Sequence, residues 1–430
     1  MGRIIQNFDA LAENELRRDA LEIAEVGYEA INVSNALLRK LHRENNELRI
    51  DNRTYQLAGR RIFFVGVGKC AFAAAEAVEK IFGDSLAGGI ALGISSGEKN
   101  ALKKIEAYTG THPLPSEVNV QATKRITEFL SGCRDNDVVI MLISGGGSTL
   151  LCSPEKPMTY LDESTLFQEL TARGATIQDI NTVRKHISHA RGGGLARAAY
   201  PAEIVSLVVS DVPGNDMEFI SSGPTIKDNS TVADAEKILA HYGIELSAHI
   251  TFIETPKEEK YFERVNNILF LSNRDALLAM QNEAVRRGYQ VEIADDHIAG
   301  EARDLGRAII EKLHATASKT ALLYAGESTV TLGDSSGRGG RNQEMALAAL
   351  EDIRDGELLL PFASDGHDNT DNAGAISDAL SNAHARTHNL SVKEYLDEHR
   401  SYDFFSETDD ALHTGYTESN VSDLIIALKK

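Results

Sequence analysis

Residues 137–150, DVVIMLISGGGSTL, decide the fold. Val138 to Ile143 are apolar without interruption, so no face is left for water; the run reads as a strand buried on both sides, as in a parallel sheet covered by helices. At Ser144 the pattern stops, and Gly145, Gly146 and Gly147 precede Ser148. Successive glycines between hydroxyls permit left-handed dihedrals and close backbone approach, as an oligophosphate cradle requires.

Working outward, RIFFVGVG (61–68), IALGISSG (90–97) and IVSLVVSD (204–211) repeat the apolar run, separated by helical stretches. Strand and helix alternate again through NNILFLSN (266–273), YQVEIAD (289–295), TALLYAGE (320–327) and GELLLPFASDG (356–366). The polar, helical segment 224–263 separates the two series. Two α/β domains follow, with the first expected over residues 1–240 and the second over 241–430. Before the first strand, Ala20 to Arg43 carries apolar residues at helical spacing and predicts one amphipathic helix.

With 42% hydrophobic and 25% charged residues, a chain of 430 residues can bury a large core. Its formal charge of -20 opposes nucleic acid or an anionic membrane as partner, so an anionic ligand needs a positive pocket inside a negative shell. Three scattered cysteines, Cys70, Cys133 and Cys152, make neither a zinc pattern nor a redox pair and read as reduced thiols. The start lacks a secretory signal, and no stretch is apolar for long enough to span a bilayer; the expectation is a cytoplasmic enzyme.

In open α/β sheets ligands bind beyond the carboxyl ends of the strands. The residues there are Gly66, Gly68 and Lys69; Ser95, Ser96 and Gly97; Ser144 to Ser148; Asp211; Glu327; and Asp365. Glycines, hydroxyls, carboxylates and one lysine suit a phosphate and a metal better than an apolar ligand. Lys69 opens a helix, where a cation opposes the helix dipole unless an anion lies between them. GVGKCA carries neither the GxxxxGK[ST] nor the GxGxxG spacing. Residues 184–197 gather Arg184, Lys185, His186, His189, Arg191 and Arg197 in an acidic protein; they make either an anion site or a solvated helix face. Asp211 ends a buried strand before a Pro-Gly turn, where a carboxylate can accept a hydroxyl proton or hold Mg²⁺. GRGGRNQ (337–343) sets Gly337, Gly339 and Gly340 around Arg338 and Arg341, with Asn342 following, at a helix start, where an arginine can neutralise a transferring phosphoryl group or lie on a solvated loop. Asp365, Asp368 and Asp371 share a Gly- and Asn-rich loop that suits phosphate, magnesium or the loop's own hydrogen bonding.

GVGKCA, GTHPLPSE, LISGGGSTLL, INTVRKHIS with RGGGLA, VVSDVPGN with ISSGPT, GESTVTLG with GRGGRNQEMAL, and SDGHDNTDNAGA occur in this order over most of the chain. Together they resemble the glycerate 2-kinase family with its C-terminal MOFRL domain. The resemblance implies phosphorylation of D-glycerate at its 2-hydroxyl, dependent on ATP and Mg²⁺. It implies a cleft between a Rossmann-like N-terminal domain and a C-terminal α/β domain whose MOFRL region spans 318–425. Lys69, Asp211 and Arg341 match the family's catalytic lysine, aspartate and arginine. Gly66, Gly68, the 95–97 and 144–148 loops, Arg184, Glu327, Gly339, Gly340 and Asn342 are the expected nucleotide, phosphate or substrate contacts; Asp211 and Asp365 are the expected metal ligands. Partners are then a nucleotide and a small anionic hydroxy acid, with a homodimer left open.

Two loops depart from the family pattern. Asn369 stands where a glycine is usual and the adjoining proline is missing; in TGYTESNVSD (414–423), Tyr416, Glu418 and Ser419 replace Pro, Gly and Thr. Another small hydroxy acid as acceptor, a hydroxypyruvate reductase and a non-catalytic ligand-binding relative are the competing readings. The missing nicotinamide fingerprint opposes the second, and intact Lys69, Asp211 and Arg341 oppose the third.

Overall fold

The computed structural model describes residues 2–94, 102–245, 249–332 and 337–430. The chain divides into two compact units, one of Val33–Asp211 with Asn215–Phe270, the other of Met1–Asn32, Val212–Gly214 and Leu271–Lys430.

The first unit opens with a small antiparallel sheet of β1 (Leu41–Glu44), β2 (Glu47–Ile50) and β3 (Arg53–Gln56). Its main sheet contains β4 (Arg61–Val67), β5 (Leu86–Gly93), β6 (Ile105–Thr109), β7 (Asp137–Ile143), β8 (Glu203–Val209) and β9 (Val265–Leu271) in the order β6-β5-β4-β7-β8-β9. The β4–β5, β5–β6, β4–β7 and β7–β8 ladders are parallel. All seven residues of β7 are buried, as a central strand covered on both faces demands. The chain runs outward from β4 to one edge, then returns to β7 and proceeds to the other. This is the dinucleotide-binding strand order, in which the reversal between the two central strands opens a crevice at their carboxyl ends.

The second unit holds β10 (Gln290–Glu301), β11 (Thr320–Thr329), β12 (Glu357–Ala363), β13 (Gly374–Ala375), β14 (Ser377–Asp378), β15 (Ala411–Leu412) and β16 (Asp423–Lys429). Their order is β10-β11-β16-β12-β13-β15, with β14 on β12; only β10 and β11 pair in parallel. Helices Ala302–His314 and Arg341–Ala349 supply Ile309, Ile310, Leu313 and Met345 to a core shared with Leu322, Leu359 and Ile425.

The observed division departs from the expected boundary at residue 240 in two ways. NNILFLSN, expected to begin the second domain, is the last strand of the first sheet. The expected single helix over 20–43 is two, Glu15–Ile31 and Val33–Lys40, parted at Asn32, whose backbone is extended (φ -61°, ψ 115°). Asparagine competes for its own backbone groups and so favours helix ends over interiors. The first of these helices belongs to the C-terminal unit. At Gly27 a Cβ would fall 2.8 Å from Met280 Sδ, so the glycine is what lets helices Glu15–Ile31 and Asn273–Arg286 approach.

Arg17 anchors that helix. Fully buried, it forms a fork to Asp378 with Nε and Nη2 each at 2.8 Å, and Nη2 lies 2.7 Å from Asp410. Asp378 also caps helix Ala379–Thr387. Arg17→Ala leaves two buried carboxylates without their cation and is expected to cost about 3–5 kcal/mol. Chemical denaturation of wild type and variant measures it.

Candidate active site

At the switch point the loops after β4 and β7 are laced together through Ser144. Its N–H donates to Val67 O (2.9 Å), its hydroxyl donates to the same carbonyl (3.2 Å), and that hydroxyl accepts from the Cys70 N–H (3.1 Å). The Lys69 N–H donates to Gly145 O at 2.9 Å. Gly68, at φ 112°, has no substitute here: a Cβ would sit 2.3 Å from both the carbonyl oxygen and hydroxyl of Ser144. Gly66 is similarly confined, 3.0 Å from the Phe64 ring and 3.1 Å from Ala71 O at its Cβ position. Ser144 and Gly66 therefore serve as scaffold. Ser95, Ser96 and Gly97 lie outside the described residues.

Gly147 leaves the room that a second pair of serines occupies, a Cβ there falling 2.1 Å from Ser221 Oγ. Ser221 donates to Ser144 O (2.7 Å). Ser222 donates to Asn181 Oδ1 (2.7 Å), so its one hydrogen is used and Ser148 donates to it (2.9 Å). These two serines, both in left-handed conformation, are functional support that strand-end reasoning missed; only the ISSGPT string marked them. Among the described residues the backbone N–H groups of Gly145, Gly146 and Ser148 donate to no protein acceptor. The Lys69 stem and the His112 ring each approach to 3.5 Å of the Cβ position of Gly146. Lys69 and Asp211, the latter two residues beyond β8, are both half-buried. Lys69, just before helix Ala71–Phe82, thus stands beside the N–H groups of the 145–148 loop, an arrangement of the kind that suits an anion.

The basic segment is no solvated face. Arg184 and Lys185 are 8% and 4% exposed. Lys185 pairs with Asp228 (3.2 Å), His189 with Glu155 (2.7 Å) and Arg191 with Glu163. Among the described residues Arg184 has no such carboxylate.

In the second unit Arg341 opens helix Arg341–Ala349 and is already gripped. Nη2 meets Glu327 Oε1 at 2.6 Å, and Nε meets Asp423 Oδ2 at 2.5 Å. The expected loop contacts here have other duties. Gly340 and Gly339 admit Asp368 and Ser401, whose atoms lie within 1.9 and 2.1 Å of their Cβ positions. Asp368, expected near phosphate or magnesium, instead accepts the N–H of Asn342 (3.0 Å) and of Gln343 (2.8 Å). The helix dipole thus has its anion built in. Asp365 is half-buried, with its carboxylate accepting the His367 N–H at 3.1 Å.

The comparisons fit this geometry. A model described as a domain of unknown function (DUF4147) matches residues 19–253, and the MOFRL family model matches residues 320–423. Glycerate 2-kinase of Pyrococcus horikoshii is 35% identical over 95% of this chain and 98% of its own. A crystal structure of a glycerate kinase from Thermotoga maritima matches with a TM-score of 0.85 at 32% identity, covering 96% of this chain and 99% of that one. The chain belongs to the glycerate 2-kinase family. A protein of Agrobacterium vitis with the provisional name hydroxypyruvate reductase is 38% identical to this family member, over 85% of this chain and 86% of its own.

In the two loops that depart from the family pattern, Asn369 and Glu418 have left-handed φ of 54° and 55°. Asparagine tolerates that region well, and Asn369 uses its side chain to donate to Gly339 O at 3.1 Å.

Burial pushes the carboxyl of Asp423 up to about 7, against the pull of Arg341 and with the help of neighbouring Asp368 and Glu327. Its folded value thus lies above its unfolded one, so its contribution to stability is complete below about pH 4 and lost as pH rises through about 7. Asp423→Asn is expected to flatten that part of the stability profile, read from thermal melts between pH 4 and 8. An unchanged slope removes Asp423 as its source.

Proposed function

We propose that this protein is a cytoplasmic kinase that transfers the terminal phosphoryl group of ATP to the 2-hydroxyl of D-glycerate, releasing ADP and 2-phospho-D-glycerate. The observation that carries this reading is the concavity at the β4–β7 switch point, where Lys69 stands beside Gly146 and three N–H groups donate to no protein acceptor. Membership of the glycerate 2-kinase family supports it. So does the fact that no helix among the described residues is long and apolar enough to cross a membrane.

In this reading the N–H groups of the 145–148 loop and Lys69 hold phosphate oxygens. Asp211 orients the 2-hydroxyl and accepts its proton as the oxygen attacks. Arg341 neutralises charge on the transferring group, a task of positioning and electrostatics. Its present ion pairs hold its fork in one orientation. Among the described residues, the groups close enough together to hold a metal are Glu13 with His384 and Asp410, and Asp295 with Asp296 and His297. Neither includes Asp211 or Asp365, and Arg17 already occupies the first. Asp211 or Asp365 would hold a Mg²⁺, which when bound would supply neutralisation of phosphate charge.

A second reading, hydride transfer to hydroxypyruvate, has one observation in favour. Gly66, Gly68 and Ala71 satisfy the alanine form of the dinucleotide fingerprint, which the stricter glycine pattern passed over, on a sheet of the matching strand order. Against it, β5 ends at Leu92 and Gly93, without the carboxylate that holds the ribose in that fold.

Incubation with ATP, Mg²⁺ and D-glycerate, followed by ³¹P NMR, should give 2-phosphoglycerate with no 3-isomer, and NADH with hydroxypyruvate should show no oxidation. Lys69→Ala and Asp211→Ala should each lower kcat by about 100-fold or more. Near-wild-type turnover in both variants overturns the assigned roles.

A further inference from the structure

Among the described residues Arg184 is a charge without a counter-charge. It is 8% exposed, its Nε is buried without a hydrogen-bond partner, and its one polar side-chain contact among the described residues is Nη2 to Thr149 Oγ1 at a long 3.5 Å. Nearby, Glu163 is already committed: it pairs with Arg191 and accepts the Cys152 S–H at 3.3 Å. Arg184, Arg191 and Glu163 therefore leave one buried positive charge uncompensated. Burial pushes the Arg184 guanidinium down to about 10, with Arg191 adding repulsion and Glu163 opposing it. A buried cation in this condition costs several kcal/mol unless an anion joins it.

Its position says which anion. Asn181 and Arg184 lie three residues apart on helix Ile177–Lys185 and so share a face. Asn181 holds Ser222, which holds Ser148; Arg184 touches Thr149, the next residue of the same loop. The guanidinium carbon lies 4.1 Å from the centroid of the Phe167 ring, which limits how the fork can turn. A planar, immobilised fork with a free Nε matches a carboxylate edge through two parallel hydrogen bonds, and it does so most strongly where water is excluded. One carboxylate cancels the one excess charge; a triphosphate brings several charges and has Lys69 and the loop N–H groups for them.

We propose that Arg184 is the receptor for the carboxylate of the acceptor substrate, and that it makes the enzyme select hydroxy acids over neutral polyols. This rests on the kinase reading above for the identity of the acceptor, while carboxylate binding itself stands apart from it.

The test uses the full-length protein and its Arg184→Gln and Arg184→Lys variants, with melting temperature and circular dichroism as checks of folding. For both variants KM for D-glycerate should rise about 10- to 100-fold, the weight of a hydrogen bond to a charged group, with KM for ATP within threefold of wild type. The preference for D-glycerate over glycerol should fall in proportion. An unchanged KM for glycerate, or a rise confined to ATP, overturns the proposal. If Arg184→Gln fails to fold, Arg184→Lys decides, since it keeps the charge and stem and lacks the fork. In a separate arm, thermal shifts are recorded with D-glycerate, lactate or glycerol in the absence of nucleotide. Wild type should be stabilised by the two acids and not by glycerol, and the variants by none of the three. That arm reads carboxylate binding even where no phosphoryl transfer is found, so failure of the kinase reading and failure of this inference give different results. Equal stabilisation of wild type and variants by the acids overturns it.

Discussion

Ser144 is pinned between two strands' ends, and the chemistry of the first unit is arranged around that fixed point. Its hydroxyl and backbone tie to Val67 and Cys70, Gly68 passes it with no room for a Cβ, and Ser221 reaches its carbonyl from a third loop. Each hydrogen bond contributes only about 1 kcal/mol. Their value is geometric, because they are buried and interlocked and cannot be exchanged for water. The consequence is that Lys69 and the 145–148 loop meet at one place, and that Ser148, Ser222 and Asn181 draw helix Ile177–Lys185 into the same assembly.

The two units treat charge differently. In the second, Arg341 is matched by Glu327 and Asp423, and the helix it opens receives its anion from Asp368. Compensation is internal and the arginine is held in one direction. In the first, N–H groups at the β7 loop and the guanidinium of Arg184 have no such match among the described residues. A fold tolerates unmatched polar groups where a ligand completes them, since the desolvation cost is recovered on binding. The unmatched groups of the first unit are therefore those that a bound anion would complete.

Much of this was legible in residue order. The unbroken apolar run 138–143, the glycines that follow it and the strand-helix alternation are local signals, because burial on both faces and positive φ each restrict which side chains are allowed. Lys69, Asp211 and Arg341 stood out because strand ends and helix starts are read from the same local patterns. Other expectations needed correction for reasons that are not local. Asp368 looked like a ligand and is a helix cap, since the N–H groups it serves lie 26 and 25 residues away. NNILFLSN looked like the start of a new domain and is the edge of the first sheet, because strand identity says nothing about which sheet a strand joins.

The sequence by itself determined a two-part α/β protein, its buried strands, its Gly-rich loops and its family, all of which follow from periodicity and motif order. Only the tertiary structure decided that the N-terminal helix serves the C-terminal unit through Arg17, that Ser221 and Ser222 brace the 144–148 loop, and that Arg184, unlike its neighbours Lys185, His189 and Arg191, lacks a carboxylate among the described residues. Charge balance is a property of neighbours in space. The basic residues of one segment look alike in order; burial and the positions of Asp228, Glu155 and Glu163 separate Lys185, His189 and Arg191, each beside a carboxylate, from the buried Arg184, which has none among the described residues.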